Sequence, residues 1–446
     1  MKRVVHFRLA MLLALLGGAV LMTGLRATES PDEPVKNDPG KVASPMPTWA
    51  TTAVKPKPLS EVVDKGLAYL ISQQHENGGW GQGGGWRSSK GGGRTPESGN
   101  VEDPPDVAST CMATLALLRA GHTPKERKYA KNVVKAIEFI CSHIEESDQK
   151  SLYVTDIRDT QVQTKIGPYV DTFLASLILA EMKGRMPDEK SEKRMITALN
   201  KTIGKIEDNL KEDGTFAGNN GWASVLSQGL CSKGLNRARQ AGLQVKDETL
   251  ARADKQAASG LDLKTGEFAA AGRMGMAGMA APSDAGVGIY NGAAKGGALQ
   301  DSVNTNRLRE VDAKRVLADG KASKENKAKA QKDLDHFADV EKANQAAIGG
   351  LVKKLDDKQF IAGFGSNGGE EFLSYMNISE TLLAKGGEEW QKWDKQVTEN
   401  LERIQNKDGS WAGQHCITGR TFCTSSALLV LMADRAPVPL AAKIKK

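Results

Sequence analysis

Aromatic side chains make up only 5% of the 446 residues, and cysteines number five: Cys111, Cys141, Cys231, Cys416 and Cys423. So few thiols, odd in number, exclude a disulfide-built scaffold. Glycine is plentiful at 47 residues but follows no Gly-X-Y period, which excludes a collagen-like helix. Beyond residue 27 no stretch is long and apolar enough to cross a bilayer. A strong excess of one charge is missing as well. The formal +7 includes four cations in the first 27 residues (Lys2, Arg3, Arg8, Arg26) and no acid there, which leaves +3 for the remainder. A balance that small offers no electrostatic footprint for nucleic acid. With 39% hydrophobic and 26% charged residues, the chain has the makings of a folded protein rather than a disordered one.

The first residues have the form of a leader. Met1-Lys2-Arg3 and Arg8 are basic, an apolar run extends from Leu9 to Leu25, and a small residue stands at Ala27. Residues 1–27 are therefore expected to be a signal peptide, placing the mature chain in a secreted or periplasmic compartment; the alternative is an uncleaved anchor. Residues 28–57, rich in Pro, Lys and Thr, read as a flexible linker.

From residue 58 onward the chain carries a degenerate helical repeat. Leu59, Val62, Val63, Leu67 and Leu70 recur at three- and four-residue spacing, the mark of an amphipathic helix, and the run ends in Gln73-Gln74-His75-Glu76-Asn77-Gly78-Gly79-Trp80. The last unit has the same plan: Val397, Leu401 and Ile404 precede Gln405, Gly409 and Trp411. Weaker copies carry Gly214 with Phe216, and Gly266 with Phe268. Glycine supplies the positive φ at which a helix stops, the aromatic wedges between hairpins, and Gln73 or Gln405 can satisfy helix-end backbone groups. Small, apolar stretches come after these turns, such as 109–118, 170–177 and 424–432, and are expected to be helices buried on several faces. Half-exposed and buried helices alternating every 50–70 residues or so imply layered antiparallel hairpins.

These residues carry a resemblance. Lys65-Gly66, Tyr69-Leu70, Gln73 and Gly78-Gly79-Trp80 resemble the QW motif of squalene–hopene cyclases and the related prenyltransferase/squalene oxidase repeats. The stretch from Ile378 through Trp390, Trp393 and Gln405 to Trp411 is similar to a secreted bacterial branch of that family with no assigned chemistry. The resemblance covers 58–240 and 360–440. It implies an all-α fold, an α/α toroid of helical hairpins around a cavity, but no activity by itself.

Signs of chemistry are few. The Asp-x-Asp-Asp acid of the protonating cyclases is absent, and Asp103 and Asp106 in Glu102-Asp103-Pro104-Pro105-Asp106 are the nearest candidates, against the reading that Asp106 caps a helix. The low aromatic content argues against carbocation stabilisation. His415, Cys416 and Cys423 offer zinc-binding atoms at a spacing that matches no recognised zinc pattern; a local disulfide between Cys416 and Cys423 is the preferred reading, so no metal and no other cofactor is expected. A complement-type Cys-Gly-Glu-Gln thioester and a Ser-His-Asp arrangement are also missing. The loop 81–99, with Trp86, Arg87, Lys90 and Arg94, is a candidate glycan clamp or simply a surface loop.

Two segments depart from a clean ring. Residues 269–300, dense in Gly, Ala and Met, are expected as a loop, because glycine disfavours helix. Residues 301–358, charged in both signs, read as a helical insertion. Toroid repeats are thus expected over 58–268 and 359–440, in a ring either incomplete or interrupted. The expected function is non-catalytic binding or scaffolding in the bacterial cell envelope, with a lipid-like, glycan or peptide ligand. The alternative is a terpenoid cyclase, prenyltransferase or polysaccharide-lyase type of enzyme working in the cavity.

Overall fold

Local sequence chemistry sets where the helices begin. Ser60, Asp106, Asp188 and Ser323 each accept a hydrogen bond from a backbone N–H three residues on, and Thr160 forms a capping box with Gln163. The computed structural model describes residues 54–84, 103–269 and 284–437. All belong to one unit, Thr48–Lys446. Among them the regular structure is helical: α1 (Glu61–Ser72), α2 (Val107–Arg119), α3 (Ala130–Glu146), α4 (Gln161–Ile166), α5 (Val170–Met182), α6 (Glu189–Asn209), α7 (Val225–Gln240), α8 (Asp247–Ala258), α9 (Gly288–Ala318), α10 (Lys324–Lys354), α11 (Lys358–Ile361), α12 (Gly369–Lys385), α13 (Gly387–Ile404) and α14 (Arg420–Leu431). The fold is all-α. The expected leader, most of the linker, the core of the 81–99 loop and Met274, Met276 and Met279 lie outside the described residues.

Burial divides the long helices into two kinds. In α2, α5 and α14 every residue is buried, and α7 and α12 come close to that. Each of these five, and α9, packs chiefly against two others of the set, in the order α2, α5, α7, α9, α12, α14 and back to α2, with a smaller contact between α7 and α12. Helices α1, α3, α6, α8, α10 and α13 bury one face only, and each packs on members of the first set. One partly exposed helix precedes each buried one along the chain, which makes six such pairs among the described residues.

This arrangement corrects two expectations. Helix α9 starts at Gly288, inside the segment expected to be a loop. Its small residues let helices approach closely: a Cβ on Gly229 of α7 would meet Ala294 of α9 at 3.0–3.2 Å, and one on Gly297 would meet Asn377 of α12 at 3.4 Å. Close packing on two neighbours outweighs glycine's poor helix propensity. Residues 301–358 are helical as expected, but they are the second half of α9 and the whole of α10. Far from standing apart, they share an apolar cluster of Ala257, Leu299, Val303, Val340, Ala343 and Ala347 with α8. The end of the expected linker is also pinned: Lys57 donates to Asp434 through its N–H and to Asp394 through Nζ, both at 2.6 Å.

The repeated turn is a defined device. Trp80 and Trp411 are fully buried. The Trp80 N–H donates to Thr110 Oγ1 and its Nε1 to the Leu70 carbonyl, while Trp411 does the same to Thr424 and Leu401. Gly78, Gly214, Gly266 and Gly409 all have φ between +77° and +91°, and a Cβ on any of them would lie 2.1–2.5 Å from a carbonyl oxygen of the neighbouring helix. One assignment changes. Gln405 donates to the Gly409 and Val62 carbonyls, and its counterpart in the first turn is Gln74, which donates to Gly78 and Asn132; Gln73 instead turns to Ser72. Phe216 is buried like the tryptophans, whereas Phe268 is half-buried beneath Lys295.

Candidate functional site

The two carboxylates singled out in the sequence serve the backbone. Asp106 is the N-cap of α2, accepting from the Ser109 N–H at 2.7 Å, and its own N–H donates to the Trp80 carbonyl. Asp103 accepts from the Gly84 N–H and so anchors the end of the loop that follows Trp80. Burial raises both carboxyls; for Asp106 the neighbouring Asp171 adds to the shift. Asp171 in turn accepts from the Ala108 N–H at 2.9 Å and from Gln163 at 2.7 Å. Asp106 and Asp171 thus lie near each other at the starts of α2 and α5, each held by a backbone N–H there.

Cys416 and Cys423 are both free thiols, which overturns the expected disulfide. Cys423 sits on the first turn of α14 with its Sγ donating to the Ile417 carbonyl at 3.4 Å, and burial pushes this thiol well up. Cys416 lies in the preceding loop at φ 50°, its carbonyl accepting from Gln161.

A group of buried polar side chains lies where α9, α12 and α14 begin. Gly368-Gly369 opens α12, and Glu370 and Glu371 occupy its first turn, both fully buried. Glu371 is held on all sides. It accepts from the N–H groups of Gly368 (2.9 Å) and Phe364 (3.0 Å), from the Tyr290 hydroxyl on α9, and contacts His415 Nε2 at 3.2 Å. His415 Nε2 also lies 2.8 Å from the Ser366 carbonyl. Glu370 is served less well: one carboxylate oxygen accepts from the Ile417 N–H at 3.2 Å, and the other, Oε1, is buried with no hydrogen bond. Burial, reinforced by Glu371, pushes the Glu370 carboxyl up to about 7. At His415 burial opposes the proton, but the Cys416 and Glu371 side chains and the Ser366 carbonyl outweigh it and raise the imidazole to about 11. Burial and Glu371 also raise the Tyr290 phenol.

Aromatic rings border this group. Trp222, just before α7, meets Tyr290 and Phe364 edge-on with centroids 6.2 and 5.1 Å apart, and Phe364 meets His415 at 5.2 Å. Phe364 is 56% exposed, and Lys165 stands over Trp222. One hydrogen-bonded region therefore offers carboxylates, an imidazole, a phenol and an accessible aromatic edge. The Gly-Gly-Glu-Glu opening of a buried helix was a legible signal. The link from Glu371 to Tyr290, 81 residues earlier, and to His415, 44 residues later, was not.

Further along the same helices is a second polar group. Glu380 lies nine residues beyond Glu371 on α12, about 14 Å along its axis. It meets Lys233 at 2.6 Å; Lys233 meets Asp301 at 2.8 Å; Arg119 pairs with Glu181; and Arg237 approaches Asp301 at 3.4 Å. These three cations and three anions come from α2, α5, α7, α9 and α12, and all are buried. Their charges balance, so this network binds the helices to one another.

Elsewhere a surface cavity of about 510 Å³ lies between the end of α3 and residues 156–159, lined by His143, Glu146, Asp156 and Arg158 among others. No helix among the described residues is long and apolar enough to cross a membrane. No protein-family model matches the chain, and no curated protein matches it.

Proposed function

We propose that this chain is an exported α/α-toroid repeat protein of the squalene-cyclase-like kind, working as a binding or scaffolding module in the bacterial cell envelope. The ligand site is the region where α7, α9, α12 and α14 begin. One observation carries this reading: the group around Glu371 ends in an accessible aromatic edge, Phe364 on Trp222, whereas the ion network further along the buried helices is buried and balanced in charge. The closed neighbour order of the six buried helices and the shared wedge turns support the toroid. Asp103 and Asp106 each accept from a backbone N–H, Asp106 as a helix cap, which supports a role other than cyclase-type protonation. The ligand class that suits the site is a small molecule or peptide side chain with an apolar face and a polar or cationic group.

Native mass spectrometry of the purified chain tests this. A retained lipid-like, glycan or peptide ligand, lost on Trp222→Ala, is the expected result. A clean chain mass, with no ligand taken up from envelope extracts, would remove the binding role.

A second reading rests on Glu370. A buried carboxyl near pH 7 is suited to general acid work, so an enzyme of the cyclase or lyase type would use Glu370 in place of Asp103 or Asp106. Recovery of a chemically altered ligand, abolished by Glu370→Gln, would decide for it.

A further inference from the structure

The Glu370 Oε1 atom poses a problem that its protein neighbours do not solve. It is fully buried and has neither a donor nor an acceptor. A carboxylate there needs a positive partner, and protonation only exchanges an orphan acceptor for an orphan hydroxyl. Around it the side chains are set out in a particular way. One ligand atom each from Glu370, Glu371 and His415 lie within 4.8 Å of one another, two on the first turn of α12 and one in the loop before α14. Both backbone and side chains fix these donors in place. Glu371 is oriented by two backbone N–H groups and by the Tyr290 hydroxyl, the kind of outer-shell support that metal-ligating residues have.

We infer that Glu370, Glu371 and His415 form a binding site for a first-row divalent transition cation, with zinc the representative case. This rests on the reading of the α12 start as the working end of the protein. The donor chemistry selects the class. Two carboxylates and an imidazole suit zinc, manganese, iron or cobalt, whereas calcium requires six to eight oxygen ligands and magnesium prefers oxygen donors and water. Three protein ligands leave a four-coordinate ion one position for a bound ligand, and the aromatic edge of Trp222 and Phe364 borders the same region. The cation thereby supplies the charge that the Glu370 oxygen lacks.

The test uses the full chain, stripped with chelator and dialysed, then titrated with zinc by equilibrium dialysis and with cobalt by visible absorption. One ion per chain is expected. Glu370→Gln and His415→Ala should each weaken binding by about tenfold or more, with the circular dichroism of the metal-free protein unchanged. If Glu370→Gln does not fold, His415→Ala, on a loop, still decides the question. No stoichiometric uptake, or uptake equally tight in the variants, would overturn the site. The two readings fail separately: a chain retaining an organic ligand but no metal sinks only the cation site. Metal bound through these residues in a chain that takes up no organic ligand supports the cation site and sinks the binding role.

Discussion

Gly409, in the last hairpin, sits so close to Lys65 of the first helix that a Cβ there would lie 2.5 Å from the Lys65 carbonyl oxygen. Two residues of the same turn strengthen the joint. Gln405 donates to the Val62 carbonyl at 2.9 Å, and the Trp411 ring would be 2.9 Å from a Cβ on Gly66. The turn before α14 is thereby fastened to α1.

Gly409→Ala is expected to cost about 2 kcal/mol or more, since it combines a left-handed φ of +87° with a backbone clash. Gly204→Ala is the contrasting case. It lies within α6 with nothing within 4 Å of a Cβ, so it should stabilise by about 0.5–1 kcal/mol. Urea unfolding of both variants checks the pair, and equal effects would refute the account of the turn.

Gln74 and Gln73 are neighbours with different duties. Gln74 donates to two carbonyls and accepts from Asn132 at 2.6 Å, so Gln74→Ala should cost about 1–3 kcal/mol. Gln73→Ala should cost less, in the same thermal or urea measurement. The reverse order would restore Gln73 as the motif residue.

Glu380 links stability to acid. Burial opposes its ionisation, but Lys233, Arg119 and Arg237 overcome this and hold the carboxyl at about 2, against 4.5 ordinarily. A lowered folded value means that its contribution is present above about pH 4.5 and is lost as pH falls toward 2. Stability by denaturant should therefore drop between about pH 5 and pH 3, and Glu380→Leu, which leaves three buried cations facing only Glu181 and Asp301, should cost about 3–5 kcal/mol near neutral pH. A variant as stable as the parent would show that the network is dispensable.

His336 of α10 works in the opposite direction. Its hydrogen bond with Asp254 of α8, at 2.9 Å, raises the imidazole above its usual value. The contribution is complete below about pH 6.5 and is lost as pH rises through the raised value. Melting curves across this range should show a decline that His336→Gln removes, and an identical profile in the variant would exclude the link.

Much of the fold was legible because its causes are local. Leu67 and Leu70, or Leu401 and Ile404, mark a helix face by spacing alone, and Gly78 and Gly409 mark its stop through positive φ. Residues 288–300 were misleading because intrinsic propensity speaks for solvent-exposed glycine. Gly297 and Ala294 lie instead between helices, where a missing side chain permits contact. Asp103 and Asp106 drew attention as paired acids, although Asp106 was also legible as a helix cap.

By itself the amino-acid order settled the helical period, the wedge turns and the buried character of the helices that come after them, since each depends on residues a few positions apart. Only the tertiary structure decided that α14 returns to α2, that five helices pool Arg119, Glu181, Lys233, Arg237, Asp301 and Glu380, and that His415 meets Glu371. Those contacts join segments tens to hundreds of residues apart. They depend on how close-packed helices rotate against one another, a property that no single segment carries.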